Sequence, residues 1–166
     1  MVLFLFFIFF LIFENLILPA LLGPGPFLIT PLFIMAMVIY SQDTKLKFIQ
    51  AVIFLLIGEL FARTMLGSSS IPMAVTIVIF IWLNHFLNIG SGLQESTSIT
   101  SLLGGTIVLT IFICIYSYMS IFFQTSYSLN SAWEGLVIFI KTSITPTLLW
   151  AIVFIILFKY GLIKSK

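Results

Sequence analysis

Residues 55–72 read LLIGELFARTMLGSSSIP, an apolar run that acquires a carboxylate, a guanidinium and a Ser-rich turn before becoming apolar again. Glu59 and Arg63 stand four residues apart, so on a helix they lie one turn above the other and can pair. Gly58 and Ala62 repeat that spacing as a small-xxx-small pair, which lets a second helix approach closely. A helix that stops at a polar turn and restarts at Pro72, in a chain this apolar, reads as a membrane hairpin. Ionisable groups inside such a hairpin are the first place to look for function.

Composition extends that reading outward. Of 166 residues, 61% are hydrophobic and only 7% are charged, a balance that water-soluble domains do not show. The chain reads as an all-α integral membrane protein. At roughly 20 apolar residues per span, residues 1–166 form one polytopic domain: a compact bundle of six transmembrane helices, or five if the short second segment does not cross. The seven basic residues are scattered over loops and ends and form no basic stripe, so nucleic acid is excluded as a partner. Cys114 is the only cysteine, so an internal disulfide and a CxxC zinc site are both excluded.

In chain order the expected spans fall at about 2–22, 27–40, 46–63, 71–87, 101–123 and 146–158. The first lacks the basic start and small-residue cleavage site of a signal peptide, so it reads as a retained span. Glu14 and Asn15 interrupt it, and a polar pair at that depth is expected to face the bundle. Pro19 and then Gly23, Pro24, Gly25 and Pro26 are expected to end it. In the third span Ala51, Gly58 and Ala62 share one side and form a groove for a neighbouring helix, with Glu59 on its flank.

The fourth span closes in Trp82, Asn84, His85 and Asn88, which reads as a polar membrane interface. Its lone His lacks the further ligands of a metal site. Along the fifth span Gly105 and Thr106, then Thr110, Cys114 and Ser117, form a small and polar packing stripe. Residues 132–140 read as a short interfacial piece. Thr145 as N-cap and Pro146 in the first turn then read as the start of the last span.

Basic residues orient the bundle. With both termini in the cytoplasm, Lys45, Lys47, Lys159, Lys164 and Lys166 lie inside and Arg63 and Lys141 outside, which obeys the positive-inside rule. Glu14 and Glu59 then lie about thirteen residues into outward-running spans and reach similar depth at about 1.5 Å per residue. Glu14, Asn15, Glu59 and Arg63 are expected to share one polar pocket. No Gly-x-Ser-x-Gly, HExxH or paired-aspartate pattern accompanies Ser68, Ser69 and Ser70, so a familiar catalytic constellation is not expected. No enzyme activity, cofactor or metal is expected.

Four features together resemble the MreD family of bacterial cell-elongation proteins. They are the chain length, the Pro-rich entry GPGPFLITP, the stretch LLIGELFARTMLGSSSIP, and a closing apolar helix with Thr145 and Pro146 at its start. The resemblance implies a non-enzymatic scaffold in the bacterial cytoplasmic membrane. Its implied partners are an MreC-like membrane helix and the cell-wall synthase subunits. Small-residue grooves on the third and fifth spans would serve as docking faces, so Gly58→Leu is expected to disrupt assembly and spare insertion. The same size and span count are also similar to the S components of energy-coupling-factor transporters, which would make the polar pocket a solute site.

Overall fold

The structure, a computed structural model, describes residues 2–22, 28–40, 44–62, 65–87, 99–125 and 128–159. Among them every regular element is helical: α1 Val2–Ile12, a π-helical turn Phe13–Ile17, α2 Leu18–Leu22, α3 Ile29–Ile39, α4 Thr44–Ala62, α5 Ser70–Leu87, α6 Ile99–Gln124 and α7 Leu129–Lys159. Four stretches are long and apolar enough to cross a membrane: Val2–Leu21, Ser70–Leu87, Ile99–Gln124 and Leu129–Lys159. Two of the six expected spans are therefore weaker. With 11 residues, α3 is about 16 Å long, half of a hydrocarbon core of about 30 Å. The nineteen-residue α4 is long enough but carries Lys45, Lys47 and Glu59.

All eleven residues of α3 are buried. Its sequence, ITPLFIMAMVI, is apolar around its whole circumference, which suits a helix enclosed by others. It packs against α1, α4, α5, α6 and α7, so the bundle is arranged around this short rod. Phe33 sits at its middle, with ring centroids 5.3 Å from Phe10, 5.7 Å from Phe154 and 5.5 Å from Phe158. Among the described residues a close ring pair joins α1 to α4, Phe7 stacked on Phe54 at 4.5 Å. Facing outward are Leu5, Phe9, Leu16, Leu60, Val78, Trp82, Ile107, Ile111, Ile138 and Leu149, all exposed. So much outward apolar surface is a liability in water and a requirement in lipid.

The small-residue stripes turn inward. Ala51 is fully buried, and a Cβ added to Gly58 would stand 3.1 Å from Leu11 Cδ1 and 3.9 Å from Phe7 Cζ. The neighbour that fills this groove is thus α1 of the same chain. This corrects the expectation for Gly58→Leu, because a bulky side chain there meets the core before any partner. On α6, Gly105, Thr106 and Ser117 are buried within the bundle. Gly105 lets the Tyr40 hydroxyl and Ile155 lie against its backbone, while Thr110 is half-buried.

Both proline expectations need correction. Pro19 lies inside the first helical stretch and does not end it. The π turn before it, where the Leu18 amide donates to the Phe13 carbonyl, widens the helix where a proline ring would crowd the preceding carbonyls. Pro146 lies inside α7, so Thr145 is no N-cap and residues 132–140 are no separate interfacial piece. The missing proline donor deprives only one carbonyl of its partner. Hydroxyls on either side bond back to the helix, Thr142 to the Ile138 carbonyl and Thr147 to the Ser143 carbonyl. Where α6 begins and α7 ends, Lys159 Nζ bonds Ser101 Oγ.

Candidate functional site

Glu59 ends its helix with a carboxylate that closes the following turn. Its Oε1 accepts from the Ser69 amide at 2.6 Å and the Ser70 amide at 2.7 Å. Its Oε2 accepts from the Gly67 amide at 2.8 Å and the Ser70 hydroxyl at 3.2 Å. Gly67 has φ of +96°, a left-handed conformation natural to glycine, and this bends residues 65–69 so that their amides converge. Glu59 is 2% exposed. Such burial is tolerable because a carboxylate has about four acceptor sites and these four bonds match them. The positive end of α5 adds to the stabilisation.

Glu14 serves α3 in the same way. Its Oε2 accepts from the Thr30 amide at 2.7 Å. The partner needed by this mid-span acid is therefore the first turn of another helix. In both helices proline is the third residue, Pro31 in α3 and Pro72 in α5, and has no donor to leave unpaired. In both, the amide after the proline bonds the residue just before the helix, Leu32 to Leu28 and Met73 to Ser69, each at 3.1 Å. The chain uses one device twice, a carboxylate from an earlier helix seated on the N-terminus of a proline-opened one.

The two devices meet. Glu14 and Glu59 line one cavity of about 250 Å³, together with Asn15, Thr30, Gly58, Ser69, Tyr116, Ser120 and Gln124. The cavity lies at the end of the bundle where α4 and α6 finish and α3 and α5 begin. Of the expected polar group, the structure brings Glu14, Asn15 and Glu59 together, while Arg63 falls outside the described residues. Asn15 Nδ2 donates to the Leu11 carbonyl at 2.9 Å, within the stretch that the π turn widens.

Thr30, Tyr116, Ser120 and Gln124 were missed by reading the sequence for charges, and Ser69 was weighed only as part of a serine run. Two signals carry them. Tyr116, Ser120 and Gln124 recur every four residues and so share a face of α6, and a hydroxyl residue shortly precedes each helix-opening proline.

The remaining sequence candidates lie elsewhere. Asn84 and His85 sit in the last turn of α5, with His85 exposed and its ring 5.4 Å from Phe86. Asn88 falls outside the described residues. Among the described residues no cluster of His, Cys, Asp and Glu could hold a metal. On the outward face, Ile79 of α5, Thr110, Cys114 and Tyr118 of α6, and Trp133 and Leu136 of α7 line an open apolar groove of about 600 Å³.

The molecule so defined is an all-helical protein with four to five helices suited to a membrane, built around an enclosed short helix and an acid-lined cavity. No protein-family model matches the chain, and no curated protein or solved structure matches it.

Proposed function

We propose that this chain is a non-enzymatic scaffold subunit of the bacterial cell-elongation machinery, embedded in the cytoplasmic membrane and docking the membrane helices of an MreC-like protein and the cell-wall synthases. One observation carries the docking part, the groove of about 600 Å³ between α5, α6 and α7. With the glycine faces of α4 and α6 filled from within, this is a recess among the described residues that stays open to a helix of another chain. In lipid such a recess offers close packing, and Thr110 and Tyr118 add hydroxyls at its wall. The elongation complex itself rests on the motifs that resemble the MreD family. Taking α1 to α2 as one span, the proposed topology has six crossings with both termini in the cytoplasm.

Affinity purification in mild detergent from the native host, with mass spectrometry of co-purifying proteins and small molecules, tests this. Elongation-complex proteins are expected, and Cys114→Trp, which fills the groove, is expected to reduce their capture at least fivefold while leaving the chain folded. Unchanged capture would remove the groove from the proposal.

The second reading, a solute-binding subunit similar to energy-coupling-factor S components, is favoured by the acid-lined cavity alone. An ATPase pair co-purifying with a bound vitamin-like solute would establish it in place of the scaffold.

A further inference from the structure

We infer that the outward face of α7 docks a membrane helix of a different chain, one that carries an acidic residue opposite Lys141 and a basic residue opposite Glu134. The inference goes beyond the groove reading, because it concerns another side of α7 and holds whichever complex the chain joins. The inner face of α7 is fixed by Ala132, Phe139, Ser143, Thr147 and Ala151, all buried. With about 3.6 residues per turn, Glu134, Ile138, Lys141 and Thr145 fall on the side directly opposite, and each of them is exposed. Their spacings of four, three and four residues are those of a coiled-coil seam. Trp133 and Leu136, which wall the groove, lie to one side of it.

Charge says what kind of helix fits this seam. Elsewhere the fold spends its charges internally: Glu14 and Glu59 on helix ends, Lys47 against Gln50, and Lys159 on Ser101. Among the residues whose side chains are described, Glu134 and Lys141 are the charged ones left exposed. Neither forms a hydrogen bond or ion pair among the described residues. The surface that faces lipid thus carries two opposite charges on one line, two turns apart, with Ile138 60% exposed between them.

Depth narrows the occupant further. Lys141 and Lys159 are eighteen residues apart, about 27 Å along the helix, close to a hydrocarbon core of about 30 Å. With Lys159 at one membrane boundary, Lys141 stands at the other and Glu134 about 10 Å beyond it. In the proposed orientation that second boundary is the outer one, so the seam crosses the outer membrane surface. The occupant is therefore a helix that leaves the bilayer without a break. A lipid does not fit as well, because the two charges stand farther apart along the axis than those of one zwitterionic headgroup.

A second copy of this chain fits worse. Two copies in one orientation pair about an axis along the membrane normal, and such an interface sets each residue opposite itself. Glu134 would meet Glu134 and Lys141 would meet Lys141, and like charges juxtaposed at an interface select against that pairing. A different chain with the opposite order of charges removes the conflict.

The test is photo-cross-linking in intact cells of the native host, with p-benzoylphenylalanine replacing Ile138 in the full chain and the cross-linked peptide sequenced by mass spectrometry. Chain made in excess of its partner leaves Lys141 open to the outer solvent, so the cross-link is read at native expression. The expected peptide belongs to a membrane helix of another protein, with an acid about one turn inward of the cross-linked position and a base about one turn outward. Lys141→Glu is expected to lower the yield at least about fivefold, and changing the partner's acid to lysine is expected to restore at least half of it. Glu134→Lys, with the partner's base changed to glutamate, repeats the exchange where Lys141→Glu does not insert.

Cross-linking to a second copy, to lipid alone or to nothing overturns the inference, as does a peptide without those charges. Unchanged yield in the charge variants, or loss without restoration by the exchange, overturns it too. The groove and the seam fail separately, because Cys114→Trp alters the first and Lys141→Glu the second.

Discussion

Glu59 shows why an ionisable residue in an apolar helix need not be an anchor or a catalyst. Its side chain replaces the water that would otherwise solvate the start of α5, accepting three amides and a hydroxyl from the turn that follows. Glu59→Gln exchanges one acceptor oxygen for an NH₂ group that meets amide donors. The substitution is expected to lower stability by at least about 3 kcal/mol, since charge-assisted bonds contribute about 1.5–3 kcal/mol each and buried donors are left unpaired. Chemical unfolding in detergent micelles measures this, and stability equal to the parent chain would refute the capping role. Reading the sequence singled out Glu59. It could not supply these partners, because they lie eight to eleven residues downstream and reach the carboxylate only through the left-handed bend at Gly67.

Among the helices, the informative contact is where α3, α6 and α7 cross at Gly105. A Cβ there would run into the Tyr40 hydroxyl and stand 3.2 Å from Ile155 Cδ1. Gly105→Ala is therefore expected to destabilise the bundle by about 1–3 kcal/mol, the usual range for overpacking. The Tyr40 hydroxyl is buried without a hydrogen-bond partner among the described residues. Tyr40→Phe alone should thus be neutral or slightly stabilising, and combined with Gly105→Ala it should recover most of the loss. Thermal unfolding of the four chains in one detergent checks the cycle, and a double variant no better than Gly105→Ala would place the clash elsewhere. The small and polar stripe of α6 was legible from its spacing. Its partners were not, because a stripe says that something packs closely and leaves open which helix. Pro146 misled for a related reason, since proline suits a helix start and is also tolerated inside a long helix, where it removes one intrahelical bond.

For the molecule as a whole, composition, with 61% hydrophobic residues, pointed to a helical membrane protein, and the described residues are helical with four stretches long and apolar enough to cross a membrane. Span lengths were less legible. The eleven residues of α3 and the thirty-one of α7 depart in opposite directions from the twenty or so that a bilayer asks for, and hydropathy does not reveal which helices are enclosed by others. The proposed orientation is open to direct test. In a Cys114→Ser background, intact cells treated with a membrane-impermeant maleimide should label Lys141→Cys strongly and Lys164→Cys or Lys45→Cys at a tenth of that level or less. The opposite pattern would invert the topology.

The enclosure of α3 also bears on how the protein is made. A segment of eleven residues gives the insertion machinery too short a hydrophobic signal to hold it in the bilayer alone. Its place at the centre of the bundle means that it has no lipid-facing side on which to wait. In the proposed topology it would enter the membrane together with a longer neighbour, α1 before it or α4 after it, and settle as the later helices close around it. In that topology Glu14, carried by the first helical stretch and bonded to the Thr30 amide, would be the earliest fixed point to which the start of α3 can be tied.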